Sequence, residues 1–171
     1  MLILPLRATI THNGAVLLGK NVACDALDES KPLRVVTHAH ADHMMGLHQS
    51  LRSCKKVLMT KATKDLIDVM RGPLFLMGGI VETLDYGKTI QYEDERMTFF
   101  KADHILGAAQ ILVENPEGKR TVYTGDFRID DTHILDADLL VMEATYGSPS
   151  CKRPFATDVR NSLVSLIEEG L

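Results

Sequence analysis

Residues 37–43 read Thr-His-Ala-His-Ala-Asp-His and follow directly on the apolar strand Leu33 to Val36. In extended backbone successive side chains alternate sides, so His38 and His40 point the same way and can grip one ion between them. Asp42 and His43 come where the chain turns into a helix, which aims a carboxylate and a third imidazole at a neighbouring position. Two adjacent metals are implied. A lone histidine is ordinarily a surface or core side chain. Three histidines and an aspartate within six residues at a strand end are a concentrated donor set of the kind that suits zinc.

Two more strand ends carry the same residue types. Asp103-His104 closes the run Met97 to Ala102, ahead of Ile105-Leu106-Gly107-Ala108-Ala109, and Asp126 follows the strand Thr121 to Thr124 after Gly125. Taken singly each could be a turn residue; together they complete a set. His38, His40 and His104 would hold one zinc, Asp42 and His43 a second, and Asp126 would bridge the two with one oxygen to each.

Outward from these strand ends the chain reads as alternating strands and helices. Short β-like runs at Leu2 to Leu6, Ala15 to Leu18, Asn21 to Cys24 and Arg34 to Thr37 look like hairpins feeding a sheet. A helical pattern follows Asp42 through Met44, Met45, Leu47 and Leu51, then a strand, Val57 to Met59. A helix over Thr63 to Met70, capped by Thr60 or Thr63, places Leu66, Ile67 and Met70 on one face. Strand patterns return at Val81 to Leu84, Thr89 to Tyr92, Met97 to Ala102, Gln110 to Glu114, Thr121 to Thr124 and Leu139 to Met142. After a linker candidate at Gly147 to Pro154, a helix over Ala156 to Glu169 needs something to lie against. This order implies a layered α/β or α+β domain.

The 171 residues are room for one core, and 45% hydrophobic with 25% charged residues is the mix of a globular protein folding in water. A net charge of −4 excludes wrapping of nucleic acid by bulk electrostatics, so any phosphate-binding charge is local. Three widely spaced cysteines, Cys24, Cys54 and Cys151, fit a reducing, cytoplasmic compartment. Met1 to Ile10 reads as a strand rather than a secretory leader, and no apolar stretch approaches the roughly 18 residues that cross a bilayer. Arg52, Lys55, Lys56, Lys61, Lys64 and Arg71 invite a nucleic-acid reading and equally that of a solvated helical face.

The pattern His38-x-His40-x-Asp42-His43, then His104 before Ile105-Leu106-Gly107-Ala108, then Thr124-Gly125-Asp126-Phe127, resembles the metallo-β-lactamase superfamily of two-zinc hydrolases. Glu143-Ala144-Thr145-Tyr146-Gly147 after an apolar strand is similar to the acidic motif of its β-CASP branch, which includes RNA 3′-end-processing and DNA-repair nucleases. Asp25 matches an early aspartate that braces the metal loop through hydrogen bonds to an imidazole or loop amides. The resemblance implies a four-layer αββα sandwich, incomplete at its C-terminal side. Residues 1–155 would be the N-terminal part of the metallo-β-lactamase-like domain, and 156–171 a terminal helix leading towards a β-CASP segment. That segment and two later histidines of the family are expected beyond Leu171, because His12, His48 and His133 lie outside the matching motifs. Exposed apolar strand surface, and with it a homodimer or a further segment, is expected.

The implied function is a zinc-dependent phosphodiester hydrolase, a nuclease acting on RNA, with DNA as the second choice of substrate, and with a hydroxide shared between two zincs as nucleophile. Asp42 and Asp126 would act as ligands, and Glu143 would support the histidine that protonates the leaving group; Glu143 could instead cap its own loop. Two alternatives stand beside this reading: a small-molecule hydrolase splitting a thioester or cyclic phosphate, and an inactive metal-binding fragment or noncatalytic subunit. Without the later histidines, the chain alone is expected to be slow or inactive.

Overall fold

The strand ahead of the histidine run is buried on both sides, and the fold is built around it. In the computed structural model, which describes residues 8–151 and 159–170, β1 (Ala8–Ile10), β2 (Val16–Leu18), β3 (Val22–Cys24), β4 (Leu33–Val35), β5 (Lys56–Met59) and β6 (Val81–Thr83) form one sheet in that order. β1 to β3 are antiparallel, as the hairpin turns at Asn13-Gly14 and Gly19 require. From β3 to β6 the pairing is parallel, so the strands end on the same side. A second sheet follows in the chain, with β7 (Thr89–Tyr92), β8 (Glu95–Lys101), β9 (Ala109–Glu114) and β10 (Arg120–Tyr123) antiparallel and β11 (Leu139–Val141) parallel to β10. The expected strand Leu2 to Leu6 lies outside the described residues.

Leu33, Val35, Leu58, Phe99 and Ile111, all at most 1% exposed, fill the space between the two sheets. Each contributes about 1.5–3 kcal/mol by leaving water. On the other face of the first sheet lie α1 (Leu47–Ser53) and α2 (Lys61–Arg71), whose Leu47 and Ile67 pack with Val36, Val57 and Met59. These are three of the four layers of the αββα sandwich that the resemblance implies. α3 (Val159–Glu169) adds no packed layer: Leu163, Val164, Leu166 and Ile167 are 45–66% exposed. Leu140 and Met142 on the open β11 edge are exposed as well. Residues 156–158, where the terminal helix was expected to start, lie outside the described residues. Among the described residues no helix is long and apolar enough to cross a membrane.

One expected element is divided. The helix after Asp42 is a single 3-10 turn over Asp42–Met44, and α1 starts afresh after Gly46, whose φ is +69°. A Cβ at Gly46 would stand 3.0 Å from the Leu27 Cβ, so the chain makes its break where a neighbouring loop presses on it. The cap of α2 is Thr60, whose side chain accepts a hydrogen bond from the Thr63 amide.

Both threonine hydroxyls also donate to the carbonyl of Gly107, at 2.8 and 3.0 Å, and pin the loop after His104 against α2. Gly107 has φ +86°, and a Cβ there would stand 2.6 Å from the Thr63 nitrogen. Gly107→Ala is therefore expected to destabilise the fold by about 2–4 kcal/mol, from the strained backbone plus the steric conflict. Chemical denaturation checks this, and an unchanged midpoint would contradict the docking.

Candidate metal centre

Parallel pairing of β3 with β4 sets Cys24 beside Val35, so Asp25 and the segment from Val36 to His43 leave the sheet at the same end. Asp25 has φ +63°, and the Ala26 amide bonds across it to the Cys24 carbonyl at 2.8 Å. This is the sense of a rare, strained γ-turn, tolerated best by aspartate, asparagine or glycine. The turn points a carboxylate that is almost fully buried at four donors. It accepts from the Thr37 amide at 2.9 Å, the Thr37 hydroxyl at 2.9 Å, the His43 Nδ1 at 2.8 Å and the Tyr123 hydroxyl at 3.0 Å.

These bonds fix the imidazole tautomers. The single hydroxyl proton of Thr37 goes to Asp25, so at 3.0 Å the His38 Nδ1–H donates to Thr37 Oγ1, leaving a lone pair on His38 Nε2. His43 likewise gives its Nδ1–H to Asp25 and turns Nε2 outward. Burial, reinforced by the neighbouring charge of His43, pushes the His38 pKa down to about 3, so it stays neutral. Burial also lowers His104 against the opposing charge of Asp126. For His43, burial is outweighed by the hydrogen bond and charge of Asp25, aided by Asp126 and Asp42, and its pKa rises.

The second sheet brings the remaining groups. Asp126 follows β10 through Gly125, whose φ of +57° and close approach to Thr37 and the Ala109 carbonyl admit no larger residue without strain. His104 follows β8, and the two loops are tied together: Arg128 makes two bonds to the Asp103 carboxylate, at 3.1 and 2.9 Å, and its amide bonds the Asp103 carbonyl.

His38 Nε2, His40 Nδ1, His104 Nε2 and one Asp126 oxygen result in a group whose donor atoms all lie within 4.8 Å of one another. Asp126 Oδ2 is 3.8 Å from His38 and 3.6 Å from His104, while its Oδ1 is 3.4 Å from His43 Nε2. Asp42 Oδ2 lies 3.6 Å from the same His43 nitrogen, on a side chain that is 77% exposed. Three imidazole nitrogens and a carboxylate oxygen facing one point are a donor set that fits zinc, and His43 Nε2 with the facing oxygens of Asp126 and Asp42 adds further donors beside it.

All six residues expected as ligands thus lie at one end of the two sheets, with Asp25 behind them. Glu143 is differently engaged: its carboxylate accepts from the Thr145 amide at 2.8 Å. Burial pushes that carboxyl up, but the bonds from Thr145 and the nearby His104 hold it below its usual range. Thr37 and Tyr123 were missed by the sequence reading. The signals were a hydroxyl directly ahead of the first histidine and a phenol in the strand that leads to Asp126.

No family model matches the chain. Over 188 aligned positions it is 31% identical to an RNase J-like protein of Methanocaldococcus jannaschii, taking in 94% of this chain and 44% of that one. It is 26% identical to RNase aCSPSF2 of Saccharolobus solfataricus, over 92% of this chain and 39% of the relative. The chain therefore spans less than half the length of these two relatives. Among solved structures, a variant metallo-β-lactamase of Cronobacter sakazakii shares the fold with a TM-score of 0.55 at 14% identity, over 75% of this chain and 70% of that one. Sheet order, the histidine and aspartate residues at the strand ends, and relatives aligned over nearly the whole chain together support the metallo-β-lactamase superfamily, and its β-CASP branch, as the family this chain resembles.

Proposed function

We propose that this chain carries the metal-binding part of a zinc-dependent nuclease that hydrolyses RNA in preference to DNA. The observation that carries the reading is the convergence of His38, His40, His104 and Asp126, drawn from both sheets, on one point. The RNase names of relatives aligned over more than nine-tenths of the chain support RNA as substrate. His38, His40 and His104 with one Asp126 oxygen would hold one zinc, and His43 and Asp42 with the other oxygen a second. Bound there, the ions would supply Lewis acidity towards a phosphoryl oxygen and a water acidic enough to attack at neutral pH.

The chain's own residues do the orienting. Thr37 and Asp25 hold His38 and His43 in the tautomers that leave Nε2 free, and burial keeps a proton off His38. Asp126 and Asp42 provide the negative charge that balances the cations. Glu143, held by Thr145, is assigned to the acid side of the reaction, where it would orient a proton donor for the leaving oxygen. The free thiols Cys24, Cys54 and Cys151 are in keeping with a cytoplasmic setting.

The test is cleavage of labelled RNA and DNA of one sequence by the protein at its natural length, with zinc and after chelation. RNA is expected to be cut faster than DNA, and chelation to stop both. Cleavage that survives chelation would contradict the metal assignment. Turnover of a thioester or cyclic phosphate with RNA left intact would move the reading to a small-molecule hydrolase.

A further inference from the structure

Because β4 is buried on both faces, an apolar residue is called for at position 34 as well, and the sequence has an arginine there. Leu33 and Val35 face the second sheet, so Arg34 faces the helices, in register with Ala23 on one side and Val57 on the other. It is 0% exposed and among the largest fully buried side chains of the molecule. A guanidinium in that apolar layer has lost its hydration and needs compensation. Among the described residues it has no ion pair. Its Nη2 donates to the carbonyls of His43 at 3.1 Å and Met45 at 3.2 Å, while Nε and Nη1 make no hydrogen bond.

A methionine or leucine would fill the layer without the desolvation cost, so packing does not explain the arginine. The two carbonyls do offer a reason. They belong to the Asp42–Met44 turn and the residue after it, just before the chain breaks at Gly46. His43 is thus held twice, its ring by Asp25 and its backbone by Arg34.

We infer that Arg34 is a positioning residue: by gripping the His43 and Met45 carbonyls it fixes the turn that aims His43 Nε2 at Asp126. It thereby sets the affinity of the metal position built on His43, Asp42 and Asp126, and leaves the His38–His40–His104 position unaffected. The affinity claim rests on the two-metal reading above; the claim on the His43 turn does not.

The experiment compares wild type, Arg34→Met and Arg34→Lys by zinc titration and thermal melting, together with the NMR resonance of the His43 Nδ1–H in metal-free protein. Arg34→Met is expected to melt no lower than wild type and to keep the tighter zinc affinity. It should weaken the second affinity about 10- to 100-fold, as the loss of groups that orient metal ligands does. Arg34→Lys, which can reach one carbonyl, should fall between. The Nδ1–H proton should exchange with water faster in Arg34→Met. Unchanged second affinity with unchanged exchange overturns the inference, as does weakening of both positions in step with a lower melting temperature. If wild type takes up no zinc, the two-metal reading fails by itself, and an Nδ1–H exchange rate equal in wild type and variant then overturns the role of Arg34. Should Arg34→Met not fold, Arg34→Lys carries the same comparison.

Discussion

Alanine at both His38 and His40 is expected to abolish metal uptake at the position they share with His104, while leaving the sandwich folded. The pair supplies two of the four donors that face one point, so the remaining His104 and Asp126 would make a site open on two sides. Metal affinity there should fall by at least about a thousandfold, since half of the donor set is removed. The fold should survive because the core between the sheets, built on residues such as Leu33, Leu58 and Phe99, contains neither histidine. The buried His38 leaves a cavity, and Thr37 loses the Nδ1–H it accepted, which together cost about 2–4 kcal/mol. Elemental analysis after dialysis checks the first part and denaturation the second. Metal content equal to wild type would contradict the site.

Asp25→Ala should have the largest effect on stability. Four donors converge on this carboxylate, among them the amide of Thr37 and the hydroxyl of Tyr123, both buried. Burial and the charge of Asp25 push the Tyr123 pKa up, so it remains a donor and is stranded when the acceptor goes. Unsatisfied buried donors cost about 1–3 kcal/mol each, and alanine tolerates φ +63° worse than aspartate does. The sum is about 3–5 kcal/mol, with metal affinity about 10- to 100-fold weaker because His43 and Thr37 lose their anchor. Asp25→Asn keeps the backbone conformation and one acceptor and should lie between. Denaturant titration of the metal-free proteins measures the first effect. Equal midpoints for Asp25→Ala and wild type would remove Asp25 from the support of the loop.

What the sequence disclosed and what it concealed divide along the range of the interaction. Strand ends are local, so the alternation of His38 with His40 and the placement of His104 and Asp126 after apolar runs could be read directly. The caps of helices are local too, although two threonines competed for α2 until the Thr60–Thr63 bond distinguished them. Glu95 shows the other case. It looks like a polar residue ahead of a strand, yet it is buried and accepts from the Lys20 and Asn21 amides, some 75 positions away. A Cβ at Gly19 would lie 2.1 Å from its carboxylate oxygen, so the glycine and the glutamate explain each other only in three dimensions. The break at Gly46 depends on Leu27 in the same way. The basic stretch from Arg52 to Arg71 was ambiguous because the anions that meet it are not apparent from charge counting. Lys61 and Lys64 pair with Asp65 and Asp68 one turn on, and Lys56 with Glu82 on the neighbouring strand, as a solvated face would have it.

The most direct measurement is anomalous diffraction from crystals grown with zinc, recorded on both sides of the zinc absorption edge. The account predicts a peak enclosed by His38 Nε2, His40 Nδ1, His104 Nε2 and Asp126, with a second beside His43 and Asp42. A zinc peak bound elsewhere on the chain, or none at the four-residue cluster in zinc-saturated crystals, would contradict it.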